Sequence, residues 1–433
     1  MKKWRWLHLV PLLIIIAFSI NDMRTLIKQE RLGFGVWRSY PETTVNFLKE
    51  HDVTGRIFNT YGYGGYLIWH LWPDIPVFID GRTPTIYDND FFWLYGLAAR
   101  DKDIWEKVAQ NYGIEIVLVR DAREMGYASF LHRLDEDEGW RLVAFDDESN
   151  LYLKRGGRFD GLIERYGFHD LRPADVSMDY AKDKKGDVRY LKALGEELKE
   201  ACRRYPDAFY PFYYLGVYHQ LYGTRDHLQE AEKVLKNAVT NRPDLSRGHY
   251  ELGFTLMKLK RYDEAARELK KSIKLQSNLP VDAYYYLGFS LFHKDEIDGA
   301  IKFLEKYKEK ASFRTRVDAY KLLGSAYMKK YRFQKALSCF ERVGYLEKPT
   351  WDILVNKGVA YFGMDNLDEA RESFEQAMEI NPDQLKVVYN LAVVYEKLGL
   401  QEEAKRLFEK AAQLRAQDAE EEIWLKKAKE KAR

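Results

Sequence analysis

The second half of the chain repeats one pattern of small and large residues at a nearly constant interval. A glycine or alanine recurs every 34 to 37 residues, followed by an alanine and then by a large apolar residue. Self-similarity at this period is typical of stacked helical hairpins. The first position holds Gly216, Gly253, Gly288, Gly324, Gly358 and Ala392, the second Ala231, Ala265, Ala300, Ala336, Ala370 and Ala404, and the third Leu235, Leu269, Leu304, Phe340, Phe374 and Phe408. The chain is therefore predicted to contain six helical hairpins.

Small residues let the two helices of a hairpin cross closely, while large residues fill the space between neighbouring hairpins. One hairpin cannot bury its own apolar face, so the copies have to stack. The pattern resembles the tetratricopeptide repeat, and the fifth copy carries the motif residues Gly358, Tyr361, Ala370, Phe374, Ala377 and Pro382. The first copy departs from it by three extra residues around Gly223, and the second to fourth have no counterpart of Pro382. The resemblance implies an α-solenoid over about residues 206–413 that binds partners and does not catalyse a reaction.

The N-terminal residues predict a membrane anchor. Three basic residues stand among the first five and precede an apolar run over residues 7–20. With its flanks, residues 4–27, the segment reaches the roughly 20 residues that a spanning helix needs. A cleaved signal peptide, with a small-x-small site at residues 17–19, is the alternative. In either case the positive-inside bias places the N-terminus in the cytosol and the remainder of the chain outside.

Residues 33–155 alternate helical and strand-like apolar runs, which predicts a small α/β domain with a mostly parallel sheet. Gly62, Gly64 and Gly65 are not followed by the Lys-Ser/Thr of a phosphate loop, so we interpret them as allowing a helix to pack closely on the sheet. Helices are expected at 41–50, 66–72, 104–112 and 127–134, strands at 56–59, 77–79 and 114–119, and a closing hairpin at 141–145 and 151–154.

Polar residues follow the predicted parallel strands, at the edge where α/β sheets usually bind ligands. They are Asn59, Tyr61, Asp80, Arg82 and Arg120. These residues are candidates for a pocket that takes a hydroxyl-rich or anionic ligand, in which Arg82 would supply a two-pronged donor. The alternative is that Asp80 and Arg82 fix a tight turn and pair with each other.

The same region shows a second resemblance. Residues 59–69 and 76–82 read NTYGYGGYLIW and PVFIDGR. They are similar to a segment in the soluble C-terminal domain of multi-spanning bacterial glycosyltransferases that use lipid-linked sugars, and the match extends over about residues 41–154. Those enzymes carry their acidic catalytic residues in a loop among many membrane helices, and this chain has one hydrophobic segment and no such loop. The resemblance thus implies an accessory domain that binds a glycan or a transferase, without transferase activity in this chain.

The charged and glycine-rich stretch after residue 155 predicts a domain boundary. The C-terminal residues predict a capping helix with Ile423, Trp424 and Ala428 on its apolar side and with residues 420–422 solvated. The predicted organisation is an anchor at 1–32, the α/β domain at 33–155, a connector at 156–190, the solenoid at 191–416 and the capping helix and tail at 417–433.

The first helix of each hairpin lines the concave groove in tetratricopeptide repeats, and motif alignment assigns groove positions here. Aromatic anchors with a polar tip suit the capture of a peptide or helix. The alternative is that these rings pack as core against the adjacent helix. One groove position is occupied by Tyr213, Tyr250, Tyr285 and Tyr389, with Lys321 in the fourth copy, and another by Phe254 and Phe289.

Composition excludes several function classes. Lys and Arg (69) nearly balance Asp and Glu (67), so nothing draws the chain towards nucleic acid. No spacing typical of metal ligands, no catalytic constellation and no cofactor motif is found. The favoured function is a scaffold of the bacterial inner membrane, single-pass, with periplasmic or extracellular domains that assemble a cell-envelope complex through protein or peptide partners. The alternative is an accessory or remnant subunit of a lipid-linked-sugar transfer system.

Overall fold

The computed structural model describes residues 40–82, 86–120, 128–275, 280–312 and 316–432. The chain divides into two compact units, unit 1 (Met1–Leu221) and unit 2 (Tyr222–Arg433). The predicted anchor, residues 4–27, lies outside the described residues. Among the helices that are described, none combines the length and apolar character needed to cross a bilayer.

Unit 1 contains a four-stranded sheet with helices around it. The strands are β1 (Ile57–Asn59), β2 (Ile116–Arg120), β3 (Trp140–Phe145) and β4 (Ser149–Lys154). The helices are α1 (Glu42–Glu50), α2 (Gly64–Leu71), α3 (Asn89–Ala98), α4 (Lys102–Asn111), α5 (Ala128–Glu136), α6 (Asp160–Tyr166), α7 (Asp179–Asp183), α8 (Val188–Arg204) and α9 (Tyr210–Tyr222), the last of which ends at the unit boundary. A single 3-10 turn, Tyr61–Tyr63, leads directly into α2.

The sheet is mixed, so the prediction of a mostly parallel sheet is wrong. The strand order is β1-β2-β4-β3, in which only β1 and β2 run parallel while β4 runs antiparallel to both its neighbours. The cause is the closing hairpin. Asp146 accepts hydrogen bonds from the backbone amides of Glu148 and Ser149 (2.9 and 2.8 Å), which fixes the tight turn. A hairpin strand has to run antiparallel to its partner, and here its second strand also pairs with β2.

The strand predicted at residues 77–79 is reduced to one parallel bridge between Val77 and Ile57. The side chain of Asn59 takes the place of the missing ladder. Its Oδ1 accepts from the amide of Phe78 (2.9 Å), and its Nδ2 donates to the carbonyl of Ile79 (2.8 Å). Because these backbone groups are satisfied by a side chain, the segment lies beside β1 without forming a regular strand.

Helix α3 was not predicted from the sequence. Asp88 caps its start by accepting from the amide of Phe91 (2.7 Å). The helix is apolar around most of its circumference, so it lacks the one-sided pattern that marks an amphipathic helix. Its buried residue Tyr95 packs on Phe58 of β1, whose ring also contacts Trp105 of α4 (5.1 Å) in the core.

Residues 156–205, which come after β4 in the chain, pack against the sheet. Phe168 forms an antiparallel bridge with Leu142 of β3, and it is buried. The carboxylate of Glu197 in α8 accepts hydrogen bonds from the amides of His169, Asp170 and Leu171 (2.6 to 2.9 Å). The predicted connector, residues 156–190, is therefore held against the sheet of unit 1 by backbone and side-chain contacts at residues 168–171.

Unit 2 is a row of paired helices at the predicted period. They are α10 (Arg225–Asn241), α11 (Ser246–Lys258), α12 (Tyr262–Leu275), α13 (Asp282–His293), α14 (Ile297–Lys310), α15 (Val317–Lys329), α16 (Phe333–Leu346), α17 (Trp351–Gly363), α18 (Leu367–Ile380), α19 (Leu385–Lys397), α20 (Gln401–Gln413) and α21 (Ala419–Lys431). The helical hairpins predicted for the second to sixth copies of the pattern are confirmed.

The repeated glycines stand where the two helices of a hairpin cross. A Cβ atom added to Gly288 of α13 would lie 2.6 Å from Cγ of Leu304 in α14. One added to Gly324 of α15 would lie 2.5 Å from the ring of Phe340 in α16. Both distances are far inside van der Waals contact. The large residue of each repeat thus fills the space that the missing side chain of glycine leaves.

Helix α21 packs against the last hairpin. Ala428 is fully buried, and Trp424 stacks on Tyr389 of α19 with ring centroids 5.9 Å apart. Two details of the predicted capping helix are wrong. Ile423 is 56% exposed, and Glu421 is buried because its carboxylate accepts from the amide of Gln417 (2.8 Å). Because Glu421 stands in a run of three glutamates, the sequence pattern did not distinguish this buried acceptor from its exposed neighbours.

Candidate functional site

The residues predicted at the sheet edge lie near one another. Asn59 holds the segment that leads to Asp80, as described for β1, and both side chains are buried. Asp80 binds Arg82 through two hydrogen bonds, from Nε to Oδ1 (2.8 Å) and from Nη2 to Oδ2 (2.6 Å), and the hydroxyl of Tyr87 also donates to Oδ2 (2.9 Å). These donors hold the pKa of Asp80 down to about 2, with the Arg82 hydrogen bond as the main cause. Asp80 is therefore a firmly ionised anchor for the turn.

The other two edge residues make backbone contacts. The amide of Tyr61 donates to the hydroxyl of Tyr95 (3.0 Å), and the amide of Arg120 donates to the hydroxyl of Thr60 (2.8 Å). The guanidinium of Arg120 lies 3.9 Å from the carboxylate of Glu148. The structure thus brings the five candidates together and engages most of their polar groups with the protein itself. Ligand binding at this edge stays a prediction.

The groove positions of the repeats differ in burial along the chain. Tyr213 of α9 is buried and its hydroxyl donates to the carbonyl of Val176 (3.3 Å). Tyr389 is buried beneath Trp424. Lys321 in α15 is about one third exposed and forms an ion pair with Glu347. At the two tyrosine positions the side chain serves the packing of the protein, as the core alternative supposes, while the charge of Lys321 is paired within the protein.

Helices α11 and α13 are different, because their aromatic groove residues are only partly buried and contact one another. Phe254 of α11 meets Tyr286 of α13 with ring centroids 4.9 Å apart, and Tyr250 lies 6.1 Å from the same ring. Phe289 contacts Tyr285 (6.4 Å) and His293 (4.3 Å). We call this set the first-helix cluster; it comprises Tyr250, Phe254, Tyr285, Tyr286, Phe289 and His293.

Two members of the first-helix cluster, Tyr286 and His293, were missed by the sequence reasoning. A signal was present, because Tyr286 stands three residues before Phe289 and His293 four residues after it, and both spacings place side chains on one face of a helix. Burial is the main cause that raises the pKa of Tyr285 to about 12 and that raises the pKa of Tyr286 as well. Both phenols are therefore neutral at physiological pH, and they offer hydroxyl groups beside apolar ring faces.

Within the described ranges, no group of three or more His, Cys, Asp or Glu residues is arranged to hold a metal ion. The first-helix cluster combines aromatic faces with phenol hydroxyl groups. Aromatic faces can take apolar side chains, and hydroxyl groups can bond a backbone. The amine of Lys258 lies 5.3 Å from the ring centre of Phe254, which adds a positive charge at one border of the cluster.

Comparison with known proteins bears on the solenoid. Family models of the tetratricopeptide repeat match residues 246–279, 282–312 and 352–417. Among solved structures, the tetratricopeptide repeat protein YrrB, described as having an unusual peptide-binding site, is 20% identical; the match covers 45% of this chain and 97% of that chain, with a TM-score of 0.41. A crystal structure of MamA is 29% identical and covers 41% of this chain and 97% of that chain, with a TM-score of 0.35. The comparison with curated proteins returned no match.

The family matches confirm tetratricopeptide repeats in these three stretches. The matched stretches lie between residues 246 and 417, so they do not reach the region that resembles glycosyltransferase domains. That second resemblance, over residues 41–154, stays a hypothesis. The first-helix cluster lies in the two stretches matched at residues 246–279 and 282–312.

Proposed function

We propose that this chain, in which residues 246–279, 282–312 and 352–417 are tetratricopeptide repeats, is a membrane-anchored scaffold of the bacterial cell envelope. Residues 4–27 tether it to the inner membrane, and its folded units lie outside the cytoplasm. The repeats bind a protein or peptide partner and hold it at the membrane. Neither a catalytic step nor a cofactor belongs to this function.

The first-helix cluster is the observation that carries the partner-binding part of the proposal. Soluble proteins bury most large aromatic residues, and aromatic side chains are enriched where partners dock. Here two adjacent hairpins hold contiguous rings at the partly exposed face of their first helices. At the corresponding position of other hairpins, Tyr213 and Tyr389 are covered by the protein itself. A partner segment with apolar side chains fits the exposed pair of hairpins best.

Truncation of the first-helix cluster is expected to weaken partner binding without unfolding the chain. The double variant Tyr250→Ala plus Phe289→Ala removes one ring from each hairpin, and we expect the affinity to fall at least tenfold, since aromatic anchors contribute about 1–3 kcal/mol each. The measurement is the dissociation constant of a partner captured by the full chain from solubilised envelope proteins and then purified. Tyr345→Ala is the matched control, because that ring is 82% exposed and lies on the second helix of its hairpin. Equal affinity of both variants would contradict the proposal.

The anchor is tested by topology. Alkaline phosphatase fused after the last residue is expected to be active in the full chain, because this enzyme matures only outside the cytosol, and a fluorescent protein that matures only inside should stay dark. Removal of residues 4–27 should reverse both signals, since the tether supplies the export signal. An inactive phosphatase fusion together with a fluorescent reporter fusion, both made on the full chain, would refute the predicted location.

A further inference from the structure

Unit 1 exposes large apolar side chains on α2 and α3. Trp69 is 85% exposed, Trp72 65% and Trp93 67%, while Phe92 and Leu97 are 45% and 43% exposed. Single exposed apolar residues are common, but five on two helices of one unit are more than a surface in contact with water usually carries. We call these five residues the tryptophan surface.

The positions of these residues follow from the packing of their helices. Helix α2 buries Gly64, Leu67 and Leu71, so the opposite face presents Trp69, and Trp72 follows just beyond the last turn. Helix α3 buries Tyr95 and Ala98 and presents Phe92, Trp93 and Leu97 to solvent. Neither helix contains a lysine or arginine. The next helix, α4, shows the ordinary pattern, because its outward residues include Lys102, Asp103, Glu106 and Lys107.

The two helices adjoin one turn. Tyr61, in the turn that leads into α2, contacts the ring of Phe92 in α3 with centroids 5.8 Å apart. Its amide also donates to the hydroxyl of Tyr95, on the buried side of α3. The exposed residues of α2 and α3 therefore flank the same anchored turn on unit 1.

The chain coming from the N-terminal segment meets α2. Tyr40, the first described residue, stacks on Tyr66 with centroids 4.8 Å apart and ring planes 16° apart. Tyr66 precedes Trp69 by less than one helical turn. Between the predicted anchor and Tyr40 lie only residues 28–39, which span at most about 40 Å even when fully extended. A membrane that holds residues 4–27 would thus lie within reach of the tryptophan surface.

The chemistry of this surface favours a lipid interface over a charged partner. Tryptophan is enriched at the headgroup level of membranes, where its ring is partly apolar and its N–H finds polar groups. The exposed charged residues nearest in sequence are mixed in sign, with Asp74, Asp88 and Asp90 against Arg100, so they form no basic cluster that would attract anionic lipid. Attachment here would depend on apolar burial and not on basic residues, and neutral lipid should suffice.

We propose that the tryptophan surface rests on the outer face of the membrane that anchors the chain, with Trp69, Trp72 and Trp93 inserted among the lipid headgroups. This proposal uses the tether of the proposed function and adds a second attachment, which fixes the orientation of unit 1 on the bilayer. The partner is a zwitterionic lipid surface, such as phosphatidylcholine or phosphatidylethanolamine. Unit 1 then serves as a foot that lies on the membrane.

The test uses the full chain in phosphatidylcholine nanodiscs whose acyl chains carry bromine close to the headgroup. Bromine quenches the fluorescence of a tryptophan only at contact distance, so the loss of fluorescence reports which tryptophans touch the lipid. The triple variant Trp69→Phe, Trp72→Phe and Trp93→Phe should lose about half of the bromine-sensitive fluorescence, because it removes three of five tryptophans placed at the bilayer. Trp351→Phe plus Trp424→Phe, on partly buried residues of unit 2, is the control and should lose none of it. Circular dichroism verifies the fold of each variant.

A further variant separates this proposal from the tether. Trp4→Phe plus Trp6→Phe reports on the anchor alone, and it should lower the bromine-sensitive fluorescence if residues 4–27 span the membrane. If this variant loses quenching while the triple variant matches the unchanged chain, the tether stands and the tryptophan surface is off the membrane, which overturns the proposal. A contact between copies of the chain is the other outcome that would overturn the proposal. In that case the chain is dimeric in detergent, Trp69→Asp plus Trp93→Asp makes it monomeric, and bromine does not quench the tryptophans at these positions.

Discussion

Gly64→Ala is expected to destabilise unit 1 by roughly 3 kcal/mol or more, the upper range for an overpacked site. Gly64 is the first residue of α2, and a Cβ atom there would lie 2.3 Å from the carbonyl oxygen of Ile79 and 2.5 Å from Cα of Asp80. Both are backbone atoms, which cannot rotate away as the end of a side chain can. The segment that Asn59 holds beside β1 would have to shift, and the ion pair of Asp80 with it.

The neighbouring residue supplies the control. A Cβ atom at Gly65 would meet nothing within 4 Å, and the residue lies in the first turn of the same helix. Gly65→Ala should therefore be neutral or stabilise the chain by about 0.5–1 kcal/mol, because alanine favours the helix. Hydrogen exchange of the β1 and β2 amides, measured by mass spectrometry on the full chain, reports unit 1 separately. Similar protection in the two variants would contradict the expected close approach.

Unit 1 is also expected to be less stable at pH 8 than at pH 5, on account of Asp135 in α5. Its Oδ2 is shielded from solvent, and burial raises the pKa of this carboxyl to about 7 from its ordinary value of 3.8. A raised pKa means that the folded state prefers the protonated acid. The contribution is therefore fully present below about pH 4 and is lost as the pH rises through 7, with a total of roughly 4 kcal/mol. Burial raises the pKa of Asp146 and Glu197 as well, which adds in the same direction.

Two substitutions identify Asp135 as the source. Asp135→Asn cannot ionise, so much of the difference between pH 5 and pH 8 should disappear. The hydroxyl of Tyr152 donates to Oδ1 of Asp135 (2.6 Å) and so favours the ionised carboxylate. Tyr152→Phe removes this donor, which should raise the pKa of Asp135 further and steepen the pH dependence of stability. The protection of unit 1 amides across this pH range is the measurement, after correction for the intrinsic pH dependence of exchange. An unchanged slope in Asp135→Asn would show that another group is responsible.

The solenoid could be predicted from the sequence because its physics is local. Each hairpin needs a small residue at the helix crossing and a large residue that fills the gap, and pairs such as Gly288 with Leu304 recur at a fixed spacing. The sheet of unit 1 could not be predicted in the same way. An apolar run at residues 77–79 has the composition of a strand, but a distant side chain, Asn59, satisfies its backbone.

The candidate residues show a similar division. Alignment could place tyrosines at equivalent positions of the hairpins, but it could not show what covers them. Tyr213 is covered by the segment that contains Val176, and Tyr389 by Trp424. Only the middle hairpins leave their rings partly exposed. Burial at the ends of a repeat array depends on flanking residues that follow no repeat, so the sequence pattern carries no information on it.

Helix α21 has a consequence for assembly. It packs on α19 and α20 through Trp424 and Ala428, at the place where the first helix of another hairpin would stack. Helix α21 therefore covers the apolar face that α19 and α20 would otherwise offer to a further hairpin, and a second molecule could stack on that face only after α21 had left it.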